Sequence, residues 1–278
     1  MKGSLQRIVL ALLEEHREKG ELPTNGRFVF YELEQRGVVR KSRAGESRRG
    51  RVADLPREQD VTDALTWLRA AGFVPWAWIE DETRTLHQWE YAATVAEFVA
   101  GQVEWARINP WRGLPPLLLV ERRSLGGVLR SLAAEYLCPL AATNGQVGGF
   151  LHTDIVPLLD GNDREVKYLG DLDLQGGQIE GNTRDVLERL TGERAWTRIA
   201  ITAEQVAERG LEPVLKKDHR YRPAREHEAW ETEALGQGTV TALVRDALDR
   251  MLPEPLRDVQ ERERAERQVL ARRLREQA

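Results

Sequence analysis

Three carboxylates define the chemistry this chain could perform. The run Leu117-Leu118-Leu119-Val120 ends in Glu121, and Lys167-Tyr168-Leu169-Gly170 leads into Asp171-Leu172-Asp173. Each apolar stretch has the texture of a buried strand that delivers acid at its C-terminal end, where open α/β sheets bind ligands. Gathered at one place, three such groups would disfavour one another's charge unless a divalent cation neutralised them. Magnesium, or manganese in its place, held by a few protein oxygens with waters retained, suits phosphate chemistry. A plainer reading stands beside this one. Glu121 can pair with Arg122 or Arg123, and Asp171 and Asp173 can cap a helix or form a turn.

The rest of the chain must position these acids. Its 278 residues are 41% hydrophobic and 31% charged, enough for a sizeable core in one or two domains. The single cysteine, Cys138, permits no internal disulfide and no cysteine-based zinc cluster, which suits a reducing cytoplasm. The N-terminus lacks the apolar core of a signal peptide, and no apolar run approaches the roughly 18 residues of a membrane span. A cytoplasmic protein with no membrane partner is expected. The net charge of −4 argues weakly against bulk attraction to DNA, because binding depends on where charge sits. One segment is strongly biased: Arg40, Lys41, Arg43, Arg48, Arg49 and Arg51 face a single Glu46. It reads either as a solvated loop or as a set of DNA phosphate contacts.

Helical spacing of Leu5, Ile8, Leu12 and Leu13 predicts a helix over 4–19. Further helices are expected at about 27–36, ended by Gly37, and at 61–71, ended by Gly72. The stretch Phe73 to Ile79 reads as extended. Three short helices and a hairpin-like segment suggest a winged-helix-like DNA-binding domain over 1–108, including a connecting helix at 90–104. The breaker-rich run 109–116 is a linker. From Leu117 the texture alternates between strand and helix, with strands at 117–121, 140–143, 166–173 and 196–201. Helices are expected at 125–136, 150–159 and 179–190, and one more after Thr202. This is an α/β pattern with a mainly parallel, Rossmann-like sheet over 117–254. Residues 228–251 read as helical apart from Gly236 and Gly238, and 255–278 as a charged, solvated helix or tail.

The order strand–Glu then strand–Asp-x-Asp resembles the Toprim domain of topoisomerases, primases and some nucleases. The run Gly170-Asp171-Leu172-Asp173-Leu174-Gln175-Gly176-Gly177-Gln178-Ile179 looks most like the version in the topoisomerase VI A subunit and its meiotic double-strand-break relatives. There a glycine and then an isoleucine follow Asp-x-Asp; here Leu174-Gln175 replaces the usual proline–aromatic pair. Those proteins carry a nucleophilic tyrosine in a motif similar to Arg-x-x-aromatic-Tyr, and this chain has Arg27-Phe28-Val29-Phe30-Tyr31. Phe28 stands where an acidic residue is frequent. The resemblance covers roughly Thr24 to Ile179, with a looser match at Glu233-Ala234-Leu235.

The resemblance implies that Tyr31 attacks a DNA phosphate, Arg27 stabilises the developing charge, and Glu121, Asp171 and Asp173 hold magnesium. It implies double-stranded DNA as substrate and a homodimer, one tyrosine cutting each strand. No Walker-type run is present, so any strand passage would need a separate ATPase partner. The chain is similar in size to short orphan topoisomerase VI A-like proteins of bacteria and mobile elements. It also resembles the Toprim nuclease of Wadjet-type plasmid defence, which does not depend on the tyrosine. Three readings follow: tyrosine-mediated cleavage, hydrolytic cleavage, and a non-catalytic DNA-binding protein. Tyr31 and Phe28, three apart, could equally form a buried aromatic pair. Secondary candidates are the turn Thr143 to Gly149 as a phosphate cradle, Glu180 as an added ligand, and one of Glu228, Glu231 and Glu233 approaching the metal.

Overall fold

The two central sheet strands, Leu117–Val120 and Val166–Leu169, are buried along their whole length, while the edge strands at Leu140–Ala142 and Trp196–Ala200 are partly exposed. The computed structural model describes residues 3–41, 55–80, 92–144, 149–218 and 225–277. Three helices lead the chain: α1 (Ser4–Lys19), α2 (Gly26–Gln35) and α3 (Glu58–Ala70). Val9, Leu12 and Leu13 bury one stripe of α1 against Val29 and Leu33 of α2 and Leu65 and Leu68 of α3. Asn25 starts α2 by accepting the Arg27 and Phe28 N–H groups at 3.0 and 3.2 Å, and its own amide donates to the Ser124 carbonyl at 2.9 Å. That cap sets the direction in which Arg27 and Tyr31 project.

The stretch Phe73 to Ile79 is not a strand. Trp76–Trp78 forms a 3-10 turn after Pro75, and only Ile79 pairs, through an isolated parallel bridge to Thr24. Pro75 withholds a donor, and the Trp78 and Ile79 N–H groups close back on Pro75 and Trp76. The alternating tryptophans thus reflect a turn with Trp78 packed on the helical core and Trp76 exposed. The connecting helix α4 spans only Val95–Gln102 and ends in a 3-10 turn, Val103–Trp105.

The sheet unit follows as β1 (Leu117–Val120), α5 (Arg123–Glu135) and β2 (Leu140–Ala142). A π-helical turn at Leu151–Ile155 runs into α6 (Val156–Leu159), then β3 (Val166–Leu169), α7 (Leu174–Thr191), β4 (Trp196–Ala200) and α8 (Ala203–Arg209). The four strands are parallel in the order β2-β1-β3-β4, so the fold is α/β. Leu118, Val120 and Leu169 face α5 on one side, while Leu117, Leu119 and Val166 face α6 and α7 on the other. Burial on both faces explains the continuous apolar runs.

Residues 228–251 are not one helix. β5 (Val214–Asp218) pairs antiparallel with β6 (Arg225–Ala229), and Glu228 and Ala229 belong to that hairpin. An isolated bridge, Leu172 to Trp230, ties it to the Asp-x-Asp segment. A 3-10 turn, Thr232–Leu235, precedes α9 (Gln237–Asp249), and Gly236 turns between them at φ 78°. The C-terminal α10 (Leu256–Gln277) is not merely solvated: Leu256, Val259 and Glu263 are buried.

Candidate metal centre

Strands β1 and β3 are neighbours, yet the chain leaves β1 towards β2 on one side and later enters β3 on the other. Their C-terminal ends therefore form the topological switch point of the sheet. Glu121 and Asp171 emerge there side by side: the Glu121 N–H donates to the Leu169 carbonyl at 2.8 Å, and the Asp171 N–H donates to Glu121 Oε2 at 2.9 Å. The approach requires Gly170, since a Cβ there would lie 2.9 Å from that same carboxylate oxygen and 2.7 Å from the Tyr168 ring. Gly176 is required too, because its Cβ would meet the Asp171 carbonyl at 2.4 Å as α7 begins.

The carboxylates that converge most closely are not the three expected. Asp171, Glu231 and Glu233 offer oxygens within 4.8 Å of one another, and all three residues are buried. Glu121 and Asp173 flank this cluster instead. Glu121 is engaged by the Asp171 backbone, and Asp173 caps α7 through the Gly176 N–H at 2.6 Å and accepts from Lys216 at 2.6 Å. Asp171 Oδ2 accepts twice from Arg122, at 2.6 and 3.0 Å, while Oδ1 accepts from the Thr232 backbone at 3.1 Å. Glu231 and Glu233 arrive because α2 packs on the Thr232–Leu235 turn. The sequence signal for them was the spacing Glu231-Thr232-Glu233, the same acid-x-acid pattern as Asp171-Leu172-Asp173. Glu228 is exposed, and Glu180 is taken by Trp196 and Arg198 at 2.8 Å each.

Among the described residues, four cations surround the acids. Arg27 joins Glu233 at 2.7 Å and Glu231 at 3.0 Å; Arg122 joins Asp171 and, at 3.1 Å, Glu231. Lys216 bridges Asp173 and Glu231, and Lys41 pairs with Glu231 while donating to the Tyr31 hydroxyl at 2.7 Å. Burial, and then the charges of Glu231 and Glu233, push the Asp171 carboxyl well above its usual range. Burial works against a charged Glu231 as well, but Lys41, Lys216 and Arg122 hold it far below that range. Asp173 is likewise held low against its burial, by the Gly176 N–H and Lys216, whereas burial raises Glu121.

Tyr31 is almost fully buried and packs edge-on against Phe30, with ring centroids 5.0 Å apart, while Phe28 enters the core under the sheet. The expected Phe28–Tyr31 pair is therefore not formed. Arg27 does lie over the Tyr31 ring, 5.4 Å from its centroid. Burial, and next the charge of Glu231, drive the phenol far above its ordinary pKa. Of the basic segment, Arg40 donates to the Lys41 carbonyl at 3.0 Å and Lys41 enters the acidic centre. Arg43, Arg48, Arg49 and Arg51 lie outside the described residues, as does the 145–148 part of the proposed phosphate cradle. Asn144, at its edge, accepts from the Arg123 N–H at 3.2 Å.

A cleft of about 890 Å³ lies beside this centre, lined by Glu121, Asp173 and the cations Arg27, Lys41, Arg122 and Lys216 that pair with the buried acids, and by Tyr31 and Arg123. Whether the acids fit a metal turns on one atom. Glu233 Oε1 is held by Ser124 Oγ and Arg27, both at 2.7 Å, but its buried Oε2 has no hydrogen-bond partner among the described residues. Glu233 belongs with Asp171 and Glu231 to a group of buried carboxylates whose oxygens lie within 4.8 Å of one another, so an oxygen without a protein partner there is a candidate ligand atom. The all-oxygen set suits a hard divalent cation. No family model, curated protein or solved structure matches the chain. No helix among the described residues is long and apolar enough to cross a membrane.

Proposed function

We propose that this chain cleaves DNA phosphodiesters with magnesium or manganese, on a Toprim-like sheet unit served by a winged-helix-like helical unit. The observation that carries the reading is the buried group of Asp171, Glu231 and Glu233 at the sheet's switch point, in which Glu233 Oε2 has no hydrogen-bond partner among the described residues. Asp171, Glu231 and Glu233 would hold the metal, with Glu121 and Asp173 fixing the backbone around them. A divalent cation there supplies Lewis-acid polarisation of a phosphate oxygen and a more acidic bound water. Arg122, Arg123 and Lys216 line the cleft where a phosphate would lie, and their charges orient it and oppose the charge that develops on it. Cutting both strands would take two copies of the chain, and any strand passage a separate ATPase.

Water is the better nucleophile for this site. Tyr31 is almost fully buried, which restricts its approach to a DNA phosphate, and burial raises rather than lowers its phenol's pKa. Tyrosine attack remains the second reading because Tyr31 lines the same cleft and Lys41 reaches its hydroxyl. The deciding experiment assays plasmid and linear DNA with Mg²⁺ and Mn²⁺. Under the hydrolytic reading Tyr31→Phe keeps cleavage, Glu233→Gln removes it, and no protein–DNA adduct forms in denaturing gels. Loss of cleavage in Tyr31→Phe together with an adduct in the wild type selects the tyrosine mechanism. Absence of cleavage by the wild type with either metal leaves the DNA-binding reading.

A further inference from the structure

Glu231 is the most heavily occupied acid in the centre. Its Oε2 accepts from Arg27 at 3.0 Å and lies 3.1 Å from the Arg122 guanidinium, and its Oε1 accepts from Lys41 and lies 3.2 Å from the Lys216 ammonium. A carboxylate offers roughly four lone-pair sites. Two of them accept hydrogen bonds and two further cations crowd the same oxygens, so a metal that joins Glu231 must displace or repel at least one of these charges. The arginines are the poorer candidates to leave, since each rigid guanidinium grips two buried acids at once, Glu231 with Glu233 for Arg27 and with Asp171 for Arg122, whereas Lys216 holds Asp173 and Glu231 through a single ammonium on a flexible stem. The lysines share one oxygen, Oε1, and both border the cleft. Lys216 stands on a two-stranded hairpin outside the main sheet.

We propose that Lys41 and Lys216 are internal counter-cations that occupy Glu231 Oε1 until the phosphates of a nucleic acid draw them into the cleft, so that polyanionic substrate and divalent metal load the centre cooperatively. This rests on the metal-centre reading above. The ammonium groups exchange one anionic partner for another, and Glu231 Oε1 becomes available to a cation held by the Asp171, Glu231 and Glu233 group. Substrate-free protein then holds metal weakly. By linkage, whatever factor DNA adds to metal affinity, metal adds to DNA affinity.

Mn²⁺ binding, followed by the EPR signal of free Mn²⁺, tests this without any activity readout. Wild type is compared with Lys216→Gln, Lys41→Gln and Lys217→Gln. Lys217 is the next residue on the same strand, where it pairs only loosely with Glu226 at 3.8 Å, and it controls for bulk charge. Without DNA, Lys216→Gln and Lys41→Gln are expected to bind Mn²⁺ about tenfold more tightly, the scale of losing one charge-assisted hydrogen bond. Lys217→Gln should match the wild type, and adding Glu233→Gln should abolish the gain. A short duplex, checked by gel to stay uncut during the titration, should tighten Mn²⁺ binding to the wild type and do so much less in Lys216→Gln. Either lysine variant suffices if the other does not fold. Equal Mn²⁺ affinity in wild type and lysine variants, or an equal gain in Lys217→Gln, overturns the counter-cation proposal while leaving the metal centre intact. No Mn²⁺ binding by any form, with or without duplex, overturns the metal-centre reading and this proposal with it.

Discussion

Arg27 Nε sits 2.7 Å from Glu233 Oε1, joining positions 206 residues apart in the chain. The contact ties the first turn of α2 to the acidic turn before α9, so the helical layer and the acidic centre are built as one. Glu233 is fully buried, which makes its partner matter more than a surface pair would. Arg27→Met should destabilise the protein by about 3 kcal/mol, because a charge is left buried without compensation. In the Arg27→Met background, Glu233→Leu should cost less than it does alone. Urea unfolding of the four proteins of this cycle measures the coupling, and additive effects would show that the contact is energetically idle.

Two glycines of α7 should respond with opposite signs. At Gly176 a Cβ would lie 2.4 Å from the Asp171 carbonyl, where backbone rather than a flexible side chain must yield. Gly176→Ala should lose about 1–3 kcal/mol and weaken Mn²⁺ binding, since it pushes α7 away from the Asp-x-Asp turn. At Gly181 nothing lies within 4 Å of the added methyl, and the position is helical. Gly181→Ala should therefore gain up to about 1 kcal/mol from helix propensity alone. Thermal denaturation reads both, and equal shifts would contradict the crowding at Gly176.

The parts of the centre that could be read in the sequence are those carried by doubly buried parallel strands. Leu117–Val120 is apolar without alternation and Val166–Leu169 is interrupted only by Lys167, and such runs announce both the strand and the acid that follows it. Glu121 and Asp171 were therefore found together. Glu231 and Glu233 stand only as secondary candidates beside Glu228, because the preceding strand, Arg225–Ala229, is mostly charged and reads as a helix face. Its pairing with Val214–Asp218 and the Leu172–Trp230 bridge are long-range facts that local pattern does not carry. Lys41 shows the same limit. Among basic neighbours it reads as one more loop charge, and only the packed chain reveals that its ammonium meets Tyr31 and Glu231.

Cys138 should be chemically silent in the native protein. It is buried in the core beneath the sheet, and burial pushes its thiol up to about 12. At about pH 8 the thiolate fraction is then on the order of 10⁻⁴, and access is blocked as well. Iodoacetamide should leave Cys138 unlabelled in buffer and label it fully in urea, with a labelling midpoint matching the unfolding transition. Rapid native labelling would mean that the core around Tyr136 and Leu132 opens locally.

Glu263 gives α10 a pH-dependent anchor. Its Oε2 accepts the Ile108 N–H at 2.8 Å, and Arg107 reaches Oε1 at 3.2 Å, with Arg267 beside it. Burial opposes its charge, but the Ile108 N–H and Arg267 win and hold the carboxyl below its ordinary value. A group whose folded pKa is depressed contributes stability above its unfolded value, about 4.3 for glutamate, and loses it as pH falls through the folded value. Glu263→Gln should thus lower stability by about 1–2 kcal/mol near neutral pH. The difference from wild type should shrink as pH drops below about 4.3. Urea titrations at several pH values test this. A gap that persists unchanged into acid would mean that the carboxylate's charge has no part in holding α10 to residues 107–108.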